Sequence, residues 1–191
     1  MDIMKKTNYR FFLLIFLFLL ACVTTNGGSN KTNIEIVTTN QGFLISNSSL
    51  KIKLFVPSKN LTIINERIGG GQDNPNYFYI VDTEANLHLS GWIEPSEKFR
   101  YNGSREYWAS EYKNMQTLNP EFRKNDIWEV FIYDTPLPKE FSEGCSAHMR
   151  AHFLKGDTWI DLHLSITALK TSAVLHEELR EYIKMLQIME Q

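Results

Sequence analysis

Hydrophobic and polar positions alternate over several short stretches of the chain, which is the pattern of a β-strand with one buried face. The alternation is clearest at residues 50–56, where Leu50, Ile52, Leu54 and Val56 are separated by Lys51 and Lys53. The stretches that predict strands are residues 50–56, 61–64, 77–82, 87–93 and 127–133. A Gly- and Asn-rich segment at residues 69–75 has the composition of a loop.

Residues 147–167 form the clearest local pattern, a long β-hairpin that turns at Gly156 and Asp157. A two-residue turn at this point fixes which residues face each other across the two strands. On one face this register brings together three apolar pairs: Met149 with Leu164, Ala151 with Leu162, and Phe153 with Ile160. We therefore expect this face to enter the hydrophobic core.

Two segments change from the strand period to a helical period. In residues 104–115, Trp108, Tyr112 and Met115 follow a helical spacing, and Ser104 is available as an N-cap. Residues 172–189 carry a longer apolar stripe, formed by Leu175, Leu179, Tyr182, Ile183 and Leu186. The stripe predicts a helix that packs on one face of the sheet. The predicted fold class is α+β, with an antiparallel β-sheet flanked by helices.

The predicted elements follow the order β-β-β-β-α-β-β-β-α. This order, with residues 129–133 before the Gly156-Asp157 hairpin and the helix of residues 175–186 after it, resembles the PsbP-like α/β/α sandwich. That group includes small bacterial envelope lipoproteins, and the resemblance covers about residues 50–189. It implies an accessory or binding role, and it carries over no catalytic residues.

The N-terminus has the layout of a secretory signal. Lys5, Lys6 and Arg10 precede an apolar run over residues 11–20, which is too short to span a bilayer. The ending Leu19-Leu20-Ala21-Cys22 resembles the lipobox of bacterial lipoproteins, which implies cleavage before Cys22 and lipidation of its thiol. The alternative is an ordinary secretory signal with a chance cysteine. We expect a membrane partner through the lipid on Cys22, and a location in the bacterial cell envelope.

The lipobox divides the chain into a signal peptide at residues 1–21, a flexible tether at residues 22–33 and a single α+β domain at residues 34–191. Val23 stands where an aspartate would retain the protein at the inner membrane, so the family pattern implies the outer membrane if the organism is diderm. Without residues 1–21 the formal net charge is −4, and we expect no nucleic-acid partner. A lipidated Cys22 cannot form a disulfide with Cys145, which we expect to be a buried or semi-buried thiol and not a catalytic one.

The second face of the predicted hairpin is polar and carries the candidate site. The same register places His148, Arg150 and His152 beside Ser165, His163 and Asp161, and His88 joins them if its strand is adjacent. Three interpretations assign chemistry to this face: a divalent metal held by His and Asp, an anion held by Arg150 and protonated histidines, or acid/base work near neutral pH. The fourth interpretation is a solvated sheet face whose polar residues pair across strands.

Familiar catalytic and nucleotide-binding motifs are absent from the sequence, including G-x-S-x-G and H-E-x-x-H. We therefore expect a non-enzymatic accessory or binding domain without a cofactor, whose partner is an envelope protein or a small molecule. The alternative is a metal- or anion-dependent site, including a hydrolytic one, at His148, Arg150, His152, Asp161 and His163.

Overall fold

The computed structural model describes residues 33–57, 61–63, 74–138 and 144–190, so the expected lipobox and all of the expected tether except Asn33 lie outside the described residues. The strands are β1 (Ile34–Thr38), β2 (Gly42–Asn47), β3 (Ile52–Pro57), β4 (Leu61–Ile63), β5 (Tyr77–Asp82), β6 (Leu87–Pro95), β7 (Leu118–Lys124), β8 (Glu129–Thr135), β9 (Cys145–Lys155), β10 (Thr158–Ala168) and β11 (Gln187–Glu190). The helices are α1 (Ser104–Glu111) and α2 (Ser172–Met185), with a short 3-10 helix at Ser96–Lys98.

A seven-stranded antiparallel sheet dominates the fold, in the order β4-β5-β6-β10-β9-β8-β7. Its centre is the hairpin of β9 and β10, where Lys155 pairs with Thr158 around a two-residue turn. Met149 faces Leu164 and Ala151 faces Leu162, which confirms the register predicted from the sequence. Gly156 has a φ of +60°, a conformation that glycine adopts without steric cost.

A second, four-stranded antiparallel sheet has the order β1-β2-β3-β11. Of its strands, only β3 was predicted. The C-terminal helix ends at Met185, not at residue 189 as predicted, because the backbone at Leu186 is extended and the next residues pair with β3. Ile188 faces Leu54 in this pairing. The apolar spacing predicted a helix at these residues, but they form a strand because they pair with the backbone N–H and C=O groups at the edge of β3.

The main hydrophobic core lies between the seven-stranded sheet, the four-stranded sheet and α2. The apolar face of the hairpin contributes Met149, Leu162 and Leu164, all fully buried. Helix α2 contributes Leu175 and Leu179, and it packs on β8, β9 and β10 as the apolar stripe predicted. No helix within the described ranges is long and apolar enough to cross a membrane.

Helix α1 lies on the other face of the seven-stranded sheet, where Trp108 packs against Phe131 and Tyr133. It is shorter than predicted and ends at Glu111. Ser104 is its first helical residue and not its N-cap, because Gly103 takes the cap position with a φ of +118°. Strand β7 was not predicted either. The coarse fold class is confirmed, since the described residues form antiparallel sheets flanked by helices.

Candidate functional site

The residues singled out by the sequence do come together on one side of the β9–β10 hairpin. Arg150 faces His163 and His152 faces Asp161 across the strands, while His148 faces Ser165. We call His148, Arg150, His152, Asp161 and His163 the histidine–arginine face. Because β6 is the other neighbour of β10 and places His88 opposite Ser165, His88 lies beside this face.

Half of the histidine–arginine face is covered by α1 and is not solvated. His152 is 2% exposed and Asp161 is 0% exposed. The ring centroid of His152 lies 4.7 Å from the centroids of both Tyr107 and Trp108. The interpretation of a solvated sheet face is therefore wrong for these two residues, because aromatic side chains of α1 remove them from water.

The buried pair of His152 and Asp161 has few polar partners. The Tyr107 hydroxyl donates a hydrogen bond of 3.0 Å to Asp161 Oδ2. His152 Nε2 lies 3.3 Å from Asp161 Oδ1 but without the geometry of a hydrogen bond. Both ring nitrogens of His152 and Asp161 Oδ1 are thus buried without a hydrogen-bond partner. Burial, and then the charge of Asp161, raise the pKa of Tyr107 far above its usual value, so this phenol stays protonated.

Arg150 provides the positive charge of the face. Its guanidinium carbon lies 4.8 Å above the Tyr112 ring, and Tyr133 is among the groups that raise its pKa. Its Nε is buried without a hydrogen-bond partner, and no carboxylate of the described residues lies within ion-pair distance of it. Burial alone would lower the pKa of Arg150, but Tyr112 and Asp161 raise it above its usual value. The guanidinium is therefore always charged.

His148 and His163 form a hydrogen-bonded pair of imidazoles beside Arg150. His148 Nδ1 lies 3.1 Å from His163 Nε2, and the two rings are stacked. His148 Nε2 also lies 2.9 Å from the Thr135 hydroxyl and 3.1 Å from the Ser146 hydroxyl.

Both imidazoles are neutral at pH 7. Burial, together with the charge of Arg150, lowers the pKa of His148 to about 4 and that of His163 well below its usual value. Protonated histidines therefore do not assist Arg150 at neutral pH, contrary to the anion interpretation as first drawn from the sequence. Burial also lowers the pKa of His88, whose Nδ1 hydrogen-bonds with the Tyr79 hydroxyl.

The metal interpretation finds no support in the geometry. Within the part of the chain that the structure describes, no group of three or more His, Cys, Asp or Glu side chains is placed to hold a metal ion. His163 lies two residues from Asp161 on β10, and His148 lies four residues from His152 on β9, so the two pairs are separated along the strands.

A second polar cluster, centred on Asp134, was not predicted from the sequence. This carboxylate is 3% exposed and accepts hydrogen bonds from Asn119, Cys145, Ser172 and His176. Burial would raise the pKa of Asp134, but the bonds from Ser172 and Asn119 hold it below its usual value. Apart from His176, the residues of the cluster line a surface cavity of about 490 Å³.

Residues of the Asp134 cluster come from β7, β8, β9 and α2, which is why no spacing in the sequence revealed it. Asn119 belongs to an irregularity in β7 and has a φ of +49°, a conformation that asparagine adopts more often than most residues. Cys145 is a free, half-buried thiol. Burial and the bond to Asp134 raise its pKa to about 11, so it is protonated at neutral pH. It does not have the lowered pKa of a catalytic cysteine.

An open apolar groove of about 640 Å³ runs along α2 and is lined by Leu87, Ile166 and Met185 among others.

The chain matches no protein-family model, and no curated protein matches it.

Proposed function

We propose that this protein is a lipid-anchored component of the bacterial cell envelope whose α+β domain binds an anionic ligand through Arg150. The observation that carries the proposal is the state of the Arg150 guanidinium. It is held among Tyr112, Tyr133 and the neutral imidazoles, its Nε is buried without a partner, and no described carboxylate neutralises it directly.

A partly buried charge without a direct counter-charge is costly for a protein to maintain, so its presence calls for a reason. The guanidinium is planar and presents several N–H donors, which suit the oxygens of a carboxylate, a phosphate or a sulfate. The Tyr112 ring lies against the guanidinium, with 4.8 Å between the guanidinium carbon and the ring centroid, and such a contact restricts its orientation. A binding role also agrees with the neutral state of the neighbouring histidines and the protonated state of Cys145.

Anion binding is tested by titrating the domain with acetate and with inorganic phosphate, followed by the amide NMR signals of β9 and β10. We expect saturable shifts around Arg150 that disappear in Arg150→Gln. The matched control is Arg100→Gln, which removes the same charge from an exposed position. Equal binding by wild type and Arg150→Gln would contradict the proposal, and so would shifts that follow the loss of Arg100.

The membrane anchor is supported by the lipobox at Leu19-Leu20-Ala21-Cys22. We propose that lipid on Cys22 places the domain at the cell envelope, at the outer membrane in a diderm organism, where it acts as an accessory protein. Metabolic labelling with a palmitate analogue should modify the wild-type protein and not Cys22→Ala, while Cys145→Ala should label normally. Labelling of Cys22→Ala, or a soluble unlabelled wild type, would count against the anchor.

We further propose that the domain is a variant of the PsbP-like α/β/α sandwich. The proposal is supported by the positions of α1 and α2, which pack on opposite faces of the seven-stranded sheet. The four-stranded sheet, which shares the core with α2, is an additional layer on one side. This arrangement leaves the histidine–arginine face and α1 together on the other side.

A further inference from the structure

Two opposite charges lie near each other on the histidine–arginine face without forming a direct ion pair. Arg150 faces His163, and Asp161 is two residues from His163 on β10, so Arg150 and Asp161 are diagonal neighbours. Such neighbours are separated by about 7–8 Å between Cα atoms in an antiparallel pair. The basic group next to Asp161 is the His152 imidazole, which is charged only when protonated.

Unsatisfied polar atoms are concentrated around this pair of charges. In the described residues, eight buried side-chain nitrogen or oxygen atoms have no hydrogen-bond partner, and six of them lie under or within α1. These six are Trp108 Nε1, Arg150 Nε, both ring nitrogens of His152, Trp159 Nε1 and Asp161 Oδ1. Folded proteins contain few buried polar atoms without a hydrogen-bond partner. Their concentration in one place therefore points to a surface that binds a ligand.

We propose that the ligand of this face is a zwitterion, with an anionic group on Arg150 and an ammonium group, several carbon atoms away, on Asp161. The inference rests on the proposed anion binding by Arg150 and adds the second half of the ligand. A simple anion satisfies Arg150 but leaves Asp161 Oδ1 without a donor and is repelled by the Asp161 charge. An ammonium group supplies both the missing donor and the opposite charge.

The ammonium group reaches Asp161 only when α1 moves away from the sheet, because Asp161 is fully buried beneath it. Apart from the packing of Trp108 on Phe131 and Tyr133, three contacts join this segment to the polar residues of the face. They are the Tyr107 hydroxyl on Asp161, the Trp108 ring on His152, and the ring of Tyr112, the residue after α1, on Arg150. Each of these contacts involves a polar residue of the face. The ligand therefore competes with α1 for the same groups, and binding and helix displacement are one event.

The test compares ligands that differ only in charge: butanoate, 4-aminobutanoate and butylamine, with glycine and 6-aminohexanoate to vary the spacing. Calorimetric titration of the wild-type domain should give roughly tenfold tighter binding for the best zwitterion than for its parent acid, the low end for a close desolvated charge pair. Butylamine should not bind measurably. In Asp161→Asn the zwitterion and its parent acid should bind equally, whereas Asp126→Asn, at an exposed position, should keep the preference.

Each outcome decides between the two proposals. If butanoate binds through Arg150 but no zwitterion exceeds its parent acid, the zwitterion proposal is overturned and anion binding stands. If neither class binds, both fail. A preference that survives Asp161→Asn overturns the role of Asp161. If this variant does not fold, the wild-type series still decides. In addition, Trp108 fluorescence and hydrogen exchange in α1 should change with 4-aminobutanoate and not with butanoate.

Discussion

Acidification from pH 6.5 to pH 5 is expected to destabilise the domain through His148 and His163. Both are buried as neutral imidazoles beside Arg150, and the pKa of His148 falls from 6.5 to about 4. Below pH 6.5 these two histidines are protonated in the unfolded chain but stay neutral in the folded protein. The unfolded state therefore binds more protons, and the free energy of unfolding decreases as the pH falls. At about 1.4 kcal/mol per pH unit, His148 alone contributes a loss of about 2 kcal/mol by pH 5 and about 3 kcal/mol by pH 4.

The pH window identifies the histidines as the cause. The carboxylates of Asp134, Glu129 and Glu177 have lowered pKa values, so their contribution to stability is lost mainly below their usual values of 3.8 for Asp and 4.5 for Glu. The other groups around His148 are the Thr135 and Ser146 hydroxyls, the stacked ring of Tyr133 and the carboxylate of Asp134. None of them titrates in this range, since the pKa of Tyr133 is raised and that of Asp134 is lowered. The loss of stability between pH 6.5 and pH 5 is therefore specific to buried imidazoles.

Urea denaturation at pH 7.5, 6.5, 5.5 and 5.0 measures this loss. The variant His148→Gln keeps a hydrogen-bonding side chain but cannot be protonated in this range, and its stability should fall by about 2 kcal/mol less than that of the wild type between pH 6.5 and pH 5. NMR titration of the imidazole signals gives the pKa values directly. A wild-type stability that is flat over this range, or a His148 pKa near 6.5, would refute the reasoning.

Two further predictions concern packing. Gly91→Ala should cost about 1–3 kcal/mol or more, because a Cβ at Gly91 would lie 2.3 Å from the carbonyl oxygen of Asp161 and force β6 and β10 apart. Gly156→Asn, at the open hairpin turn, is the control and should be nearly neutral in thermal denaturation. Leu179→Ala should cost about 2–5 kcal/mol because Leu179 is fully buried in the core, whereas Val174→Ala on the exposed side of α2 should stay within about 0.5 kcal/mol. A stable Gly91→Ala or Leu179→Ala would contradict the close packing described.

The parts of the fold that the sequence predicted are those determined by local interactions. The register of the β9–β10 hairpin depends on its turn at Gly156 and on the alternation of its own strands, and it was predicted correctly. The end of α2 was not, because β3, more than a hundred residues earlier, pairs with the residues that follow Leu186. Strands β1 and β7 lie at sheet edges, where exposure removes the contrast between buried and polar positions.

The sequence predicted which residues of the candidate site share a face, but it did not predict that some of them are buried. Cross-strand register was enough to place the five polar residues on one face, yet their burial depends on α1, which is brought onto the face by tertiary packing. One signal was present in the sequence. In β8, residues 130–133 are apolar without alternation, which is typical of a strand covered on both sides. Phe131 and Tyr133 of this run are the residues on which Trp108 packs.

The position of α1 on the polar face is compatible with the proposed ligand binding, because a helix outside the main core can move away without unfolding the domain. The main core, between the two sheets and α2, contains no residue of α1. Within α1 only Ser104 and Trp108 are buried, and its N-cap makes no side-chain hydrogen bond. Displacing α1 therefore breaks local contacts and leaves the main core intact, which is the condition for opening at a small fraction of the global unfolding free energy. The buried atoms without partners reduce the cost further, because His152 and Asp161 gain hydrogen bonds to water or ligand when the helix leaves. The same unsatisfied groups that make the closed state costly thus favour the open state that the proposed ligand binding requires.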